Sequence, residues 1–121
     1  EHGVPDFYEL VLVTTEDKIA NEPELVQKFV QATTRGYQDA ISDPQAAVEL
    51  LKRVKPEVDL AIESPGVDML APLWSASQGG FGWQEEGRWV AFAKWMVETG
   101  QLAKDTDAKA AFTNKFIEAA E

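Results

Sequence analysis

The 121-residue sequence contains no cysteine and a single histidine, His2. The absence of cysteine excludes structural disulfides, thiolate nucleophiles and cysteine metal sites. His2 lies at the extreme N-terminus, where a histidine base would have neither a partner nor a fixed position, so we expect no role for it. Serine-hydrolase elbows, P-loops, dinucleotide-binding fingerprints and calcium loops are also missing. These absences argue against an enzyme. We also expect the chain to bind neither a cofactor nor a metal ion.

Basic residues are scarce, since 11 lysines and arginines stand against 21 aspartates and glutamates, for a formal net charge of −10. Such a charge repels phosphate backbones and anionic lipid headgroups, so nucleic acid is not an expected partner. No apolar run approaches the ~20 residues that a membrane-spanning helix needs. The apolar content of 45% is still sufficient for one domain with a hydrophobic core over residues 1–121.

One segment, residues 8–14 (YELVLVT), has the composition of a β-strand. It is rich in β-branched and apolar residues and nearly continuous in hydrophobicity, which is typical of a strand covered on both faces. A single strand cannot form a sheet, so its partners must come from another chain, from a second copy or from sequence outside these 121 residues. We therefore expect the isolated chain to self-associate or to expose an apolar patch.

The remaining sequence has helical periodicity interrupted by helix-terminal signals. A helix is predicted to begin at the cap Asn21, and another at the cap Asp43 with a proline in the first helical position. Residues 57–73 have a helical pattern that Ser64-Pro65-Gly66 interrupts, which predicts two short helices with a kink or loop between them. Residues 75–82 are predicted to form a glycine-containing loop.

Two further helices are predicted in the C-terminal third of the chain. The first runs from about residue 84 to 99, with Gly100 in the position of a C-terminal cap, and the second begins at the cap Asp107. The whole is then a mostly helical chain with one main strand and about five to six helices. Three residues of the helix at 84–99 share a face that is predicted to pack in the core: Trp89, Phe92 and Met96.

Aromatic side chains near the predicted strand and loop are candidate ligand contacts. Flat heteroaromatic ligands are commonly held by stacking on aromatic rings, although packing inside the protein is the alternative for each ring. The candidates on this ground are Phe7, Tyr8, Trp74 and Trp83.

Several segments together resemble one family of proteins. They are residues 3–14 (GVPDFYELVLVT), residues 21–26 (NEPELV), residues 43–47 (DPQAA), residues 81–84 (FGWQ) with Arg88-Trp89, and residues 111–116 (AFTNKF). Together they resemble the thiamine-pyrimidine precursor binding proteins of ABC importers, a superfamily shared with the fungal enzyme that makes the thiamine pyrimidine.

The resemblance implies an α/β fold of the periplasmic-binding-protein type II kind, with two lobes joined by a hinge. Residues 1–121 would be the C-terminal part of such a protein, because nothing in them matches the Asp-Trp-x-Pro-Asn ligand segment of the family. The resemblance places the hinge crossing at Asp6, Phe7 and Tyr8. These three residues are therefore candidates for contact with a ligand in the cleft. The alternative is that they only pack within the hinge.

The function implied by the resemblance is capture of a small heteroaromatic ligand, together with the missing lobe, for delivery to an ABC permease. The ligand would be a thiamine pyrimidine precursor or a similar compound, and the location would be periplasmic or otherwise extracytoplasmic, with a signal upstream of Glu1. Two alternatives stay open: a fragment of a thiamine-pyrimidine biosynthesis enzyme of the same superfamily, and a stand-alone helical interaction module.

Overall fold

The computed structural model describes residues 3–74 and 80–117. The predictions for His2 and for most of the loop at residues 75–82 therefore lie outside the described residues. Within these ranges the chain forms five α-helices and one short 3₁₀ helix: α1 (Glu16–Asn21), α2 (Pro23–Ser42), α3 (Pro44–Val54), α4 (Leu60–Trp74), α5 (Glu86–Glu98) and the 3₁₀ helix η1 (Ala108–Ala111).

The structure corrects the prediction of a main strand near residues 8–14, which have no regular secondary structure. The part of the chain that is described is helical and holds no strand, so the α/β fold implied by the resemblance is not formed by these residues alone. A strand is stabilised by hydrogen bonds to a neighbouring strand, and no other described segment supplies one. Leu10 and Val13 are accordingly 86% and 87% exposed.

Helix α1 is a short element that the sequence patterns did not predict. The Thr15 hydroxyl accepts a hydrogen bond from the Lys18 N–H (3.2 Å) and so caps its first turn. Asn21 was the predicted cap of α2 but is the last residue of α1, and Glu22 occupies the cap position instead, without a side-chain capping hydrogen bond. The Glu22 carboxylate pairs with the Lys18 ammonium (2.9 Å), which ties it to the preceding helix.

Helix α3 begins as predicted, because its cap is a purely local interaction. The Asp43 carboxylate accepts a hydrogen bond from the Ala46 N–H (3.1 Å), and Pro44 is the first helical residue. At the other end of this helix, the Lys52 ammonium donates to the carbonyl oxygens of Pro56 (2.7 Å) and Val58 (2.6 Å). That contact fixes the connection to α4.

Helix α4 is continuous, so the prediction of two short helices with a break at Ser64-Pro65-Gly66 is wrong. A proline within a helix removes one backbone hydrogen bond and costs about 3 kcal/mol, which packing can offset. Here α4 packs against both α2 and α3, and Val67 and Ala71 are buried. Tertiary contact therefore holds together a helix that the local sequence disfavours.

The end of α5 confirms the predicted glycine cap. Gly100 has φ +75°, the Gln101 N–H donates to the Met96 carbonyl (2.7 Å), and the Gly100 N–H donates to the Val97 carbonyl (3.1 Å). This pair of bonds is the Schellman arrangement, which requires the left-handed conformation that glycine adopts without steric cost.

The final helix is shorter than the stripe of Ala111, Phe112, Phe116 and Ile117 at helical spacing predicts. The Asp107 carboxylate does accept a hydrogen bond from the Lys109 N–H (2.9 Å), but η1 ends at Ala111. Phe112 and Phe116 consequently lie in a non-helical segment, where the side chain of Asn114 bonds to the backbone of another part of the chain.

Few of the described side chains are buried: Val48, Val67, Ala71 and Phe116, each still 5–8% exposed. Helices α2, α3 and α4 pack with one another, α1 packs on α2, and α5 packs on η1. Trp89, Phe92 and Met96, predicted as core, are only half-buried, because within residues 3–74 and 80–117 the only helix that packs on α5 is η1. The accessible surface is 9136 Å², whereas a compact monomer of this mass exposes about 6,500 Å². The chain therefore exposes about 2,600 Å² more than a typical monomer of its size.

Candidate functional site

Two of the predicted cleft residues, Asp6 and Tyr8, are held by the beginning of α5. The Asp6 carboxylate forms an ion pair with the Arg88 guanidinium, whose central carbon lies 4.6 Å from the centre of the Tyr8 ring. The Tyr8 hydroxyl accepts a hydrogen bond from the Glu85 N–H (2.7 Å), immediately before the first helical residue. The segment at residues 6–8 is thus attached to α5 by an ion pair, a cation–π contact and a hydrogen bond.

The Arg88 guanidinium is committed to this internal contact. Partial burial disfavours its charged form, but the pKa of Arg88 is raised overall, because the Asp6 carboxylate accepts its hydrogen bond and the Tyr8 oxygen lies nearby. Arg88 and Asp6 are 34% and 78% exposed, so solvent screening limits the contribution of the pair to about 1 kcal/mol or less. Its main effect is to position residues 6–8.

Phe7, the third predicted cleft residue, begins a column of stacked rings on α5. Its ring lies 4.6 Å from that of Phe92 with an interplanar angle of 13°, and Phe92 in turn stacks on Trp95 at 5.7 Å and 15°. Phe7 is 43% exposed. One face of its ring is therefore packed inside the chain, and part of the ring still contacts solvent.

A second set of rings joins Tyr8 to the C-terminal segment through Trp89. The Trp89 ring lies 6.1 Å from the Tyr8 ring and is parallel to the Phe112 ring at 5.7 Å. The indole Nε1–H of Trp89 donates to the Gln84 side-chain oxygen (2.8 Å). Trp89 thereby connects the N-terminal segment, α5 and the segment after η1.

One of the two tryptophans predicted as ligand contacts lies in a different group of rings. Trp74, the last residue of α4, meets the Tyr37 ring edge-on at 5.2 Å, and the Phe81 ring lies 4.7 Å from that of Tyr37. Trp83 is half-buried, and its backbone N–H donates to the Gly80 carbonyl (3.2 Å). The ring contacts therefore place Phe7 and Tyr8 against α5 and Trp74 against α2, so these three predicted site residues do not belong to one group of rings.

Gln84 and Asn114 are linked by hydrogen bonds. Both residues belong to segments that resemble the family, but nothing in the sequence indicated that they contact each other. The Gln84 N–H donates to the Asn114 Oδ1 (3.0 Å), and the Asn114 Nδ2 donates to the Gln84 carbonyl (2.8 Å). The side-chain amide of Asn114 thus satisfies both backbone groups of one residue, as a neighbouring strand would. Because Gln84 also accepts from Trp89, this link fixes the C-terminal segment to the beginning of α5.

We expect Asn114→Ala to lower the free energy of unfolding by about 1–2 kcal/mol, because it removes two hydrogen bonds and leaves the Gln84 backbone groups unpaired in a half-buried site. Urea unfolding followed by circular dichroism would measure the loss. Thr113→Ala is the matched control, since the exposed Thr113 hydroxyl accepts only one local hydrogen bond, from the Lys115 N–H. Equal destabilisation by the two variants would contradict the role of the Gln84–Asn114 link.

An apolar groove of about 670 Å³ lies beside these contacts. It is lined by residues 11–14, by residues of α1 and α2 that include the charged Glu16 and Lys18, and by Gln84, Trp89 and the segment from Ala110 to Thr113 with Phe116 and Ile117. Phe29, one of the α2 residues in this lining, is 61% exposed. Neither a cluster of three or more potential metal ligands nor a helix able to cross a membrane is found among residues 3–74 and 80–117.

Comparison with known proteins places these features in a family context. The family model described as NMT1/THI5 like matches residues 1–47. The riboflavin-binding protein RibY of Chloroflexus aurantiacus is 32% identical over 112 residues, which are 88% of this chain and 32% of that protein. The formylaminopyrimidine-binding protein of Halalkalibacterium halodurans is 25% identical over 118 residues, which are 94% of this chain and 36% of that protein.

The comparisons confirm the resemblance to the thiamine-pyrimidine type of solute-binding protein that the sequence motifs indicated. Both relatives are named as binding proteins and neither as an enzyme, in agreement with the prediction that this chain is not an enzyme. The chain spans about a third of the length of the curated relatives it matches.

Proposed function

We propose that this chain is the C-terminal part of a two-lobed solute-binding protein that captures a flat nitrogen heteroaromatic for an ABC importer. The observation that carries the proposal is the similarity of nearly the whole chain to two binding proteins, one for riboflavin and one for formylaminopyrimidine. Both ligands contain a pyrimidine ring. A thiamine pyrimidine precursor is accordingly the ligand that we favour, delivered to a permease from the periplasm or another extracytoplasmic location.

The exposed surface supports the part of the proposal that concerns a larger protein. Besides the surface excess described above, α4 is apolar on more than one face: Val67 and Ala71 are buried, while Ile62, Met69 and Leu73 are largely exposed. A helix that is apolar around its circumference is typical of a protein interior. The remaining part of a longer protein would cover this face.

Asp6, Phe7 and Tyr8 are the residues through which we propose that this chain reaches the cleft. The partly exposed ring of Phe7 is available for one further stacking contact, and Asp6 is largely exposed beside Arg88. Trp74, on the α2–α4 side, and Trp83 are proposed as further contacts. Most of the ligand-binding groups would come from the rest of the protein, because this chain by itself supplies few that are not already paired.

Calorimetric titration of the 121-residue chain and of the longer protein would test the function. The ligands are a hydroxymethyl-aminopyrimidine, formylaminopyrimidine and riboflavin. We expect the longer protein to bind one of them, and the chain alone to bind it at least ~100-fold more weakly, since each 1.4 kcal/mol of lost contact energy is about tenfold in affinity.

Two variants of the longer protein sharpen this test. Phe7→Ala is expected to weaken binding by about tenfold through loss of one stacking contact, whereas Phe29→Ala, which removes a ring from the apolar groove, is expected to leave the affinity unchanged. Failure of the longer protein to bind any of the three ligands would contradict the proposed function. Tight binding by the 121 residues alone would instead place the whole site within them.

A further inference from the structure

The segment at residues 6–8 is held in place by its side chains. It has no regular secondary structure, and among the described residues none of its backbone N–H or C=O groups forms a hydrogen bond with another backbone group. A segment without a backbone ladder has low local stability, so its position depends on the contacts of its side chains. All three side chains contact one short stretch of the chain, residues 85–92 at the beginning of α5.

Arg88 contacts the residues on both sides of Phe7. Its guanidinium pairs with the Asp6 carboxylate on one side, and its central carbon lies 4.6 Å from the centre of the Tyr8 ring on the other. A planar guanidinium can make both contacts, since it donates hydrogen bonds at its edge and stacks on an aromatic ring through its face. The two neighbours of Phe7 are thus tied to α5, and its own ring stacks on Phe92, one helical turn beyond Arg88.

We propose that Arg88 is a positioning residue for ligand binding: it holds residues 6–8 so that the exposed part of the Phe7 ring has one fixed orientation towards the ligand. This role rests on the proposed function, in which Phe7 makes one stacking contact. Stacked rings need a defined separation and offset, with their centres about 4.5–7 Å apart. A Phe7 ring on a loose segment would have to be ordered when the ligand binds, and that ordering lowers the affinity.

The effect of Arg88 on affinity has an upper limit. A residue that acts through Phe7 cannot cost more affinity than removal of the Phe7 ring, which is expected to cost about tenfold. Because loosening the segment removes only part of that contact, we expect Arg88→Gln to weaken binding by the longer protein about fivefold.

Lys109→Gln is the matched control for Arg88→Gln. It removes the same charge and also breaks an ion pair at the beginning of α5, between the Lys109 ammonium and the Glu86 carboxylate (2.6 Å). That pair does not include residues 6–8, so we expect the affinity of this variant to be unchanged.

A double-mutant cycle separates a positioning residue from a ligand contact. If Arg88 acts through Phe7, Arg88→Gln has less than about a twofold effect in a Phe7→Ala background, because no ring is left to position. If Arg88 contacted the ligand independently, the two losses would multiply to about fiftyfold. Calorimetric titration of the four proteins measures the cycle, with whichever of hydroxymethyl-aminopyrimidine, formylaminopyrimidine and riboflavin the longer protein binds.

Folding of each variant is checked by its urea midpoint. If Arg88→Gln does not fold, Arg88→Lys takes its place in the cycle. Lysine keeps the charge beside Asp6 but lacks the planar group, so we expect it to weaken binding about threefold.

Backbone order parameters from ¹⁵N relaxation measure the positioning without any ligand. In the 121-residue chain we expect the Phe7 and Tyr8 amides to have values near ~0.85, which fall below ~0.6 in Arg88→Gln and do not change in Lys109→Gln. Unchanged order parameters in Arg88→Gln, an unchanged affinity or losses that multiply would each overturn the inference while the proposed function stands. Binding of none of the three ligands would instead contradict the proposed function, and with it the role of Arg88 towards a ligand.

Discussion

Replacement of Trp89 by alanine is expected to lower the free energy of unfolding by about 3 kcal/mol, at the lower end of the range for large aromatic residues. Trp89 is only half-buried, but its ring is stacked on Phe112, contacts Tyr8 and donates a hydrogen bond to Gln84. Its removal therefore takes away one ring that contacts the N-terminal segment, α5 and the segment after η1 together. The urea midpoint of the circular dichroism transition, with the slope held fixed, measures the change.

Trp89→Phe is the control that separates ring packing from the indole hydrogen bond. Phenylalanine keeps a flat ring against Phe112 and loses the donor to Gln84, so we expect a loss of about 1 kcal/mol, the usual net contribution of one hydrogen bond. A loss below about 1 kcal/mol for Trp89→Ala itself would show that the stacked rings do not stabilise the chain. That result would make Trp89 available for a ligand contact.

Replacement of Phe116 by alanine is expected to lower the free energy of unfolding by about 3–4 kcal/mol, because its ring is the largest side chain that the described residues bury. Phe116 is 6% exposed, and its carbonyl oxygen accepts a hydrogen bond from the Gln27 side chain of α2 (3.0 Å). The residue thus anchors the C-terminal segment to the helical part of the chain. Removing the ring leaves a cavity at this junction.

Phe116→Leu is the matched variant, because it retains most of the apolar volume and the backbone hydrogen bond from Gln27. We expect it to cost less than about 1.5 kcal/mol, as volume-conserving core changes do. If Phe116→Ala and Phe116→Leu have the same free energy of unfolding, the C-terminal segment is not docked on α2. Phe29→Ala, at the exposed edge of the same groove, is expected to change the free energy by less than about 0.5 kcal/mol.

Three predictions from the sequence succeeded where a single turn of chain decides the structure, although the local cap predicted at Asn21 did not form. The cap of α3 at Asp43, the glycine at the end of α5 and the cap at Asp107 are each formed by residues at most five positions apart. Such contacts are made within the segment itself, so the residue types are sufficient to predict them. The break predicted at Pro65 is wrong because packing of α4 on two other helices outweighs the local cost of proline.

The residues proposed for the candidate site remain predictions, and their arrangement could not be derived from the sequence. Asp6, Phe7 and Tyr8 were candidates from the family motif and from their aromatic character, but their partner Arg88 lies 82 positions from Asp6. The link between Gln84 and Asn114 likewise joins residues 30 positions apart. No periodicity or cap signal connects residues at such separations, so their pairing could not be derived from the local sequence.

The sequence by itself determined that this chain is acidic, free of cysteine, mostly helical and similar to thiamine-pyrimidine solute-binding proteins, because composition, short-range caps and motif letters are properties of the residues alone. Only the tertiary structure decided whether residues 8–14 are a strand, whether α4 continues through Pro65, and how deeply Trp89 is buried. Each of these depends on what lies next to the segment in space. A strand needs a partner for its backbone, and a ring is buried only if another element covers it.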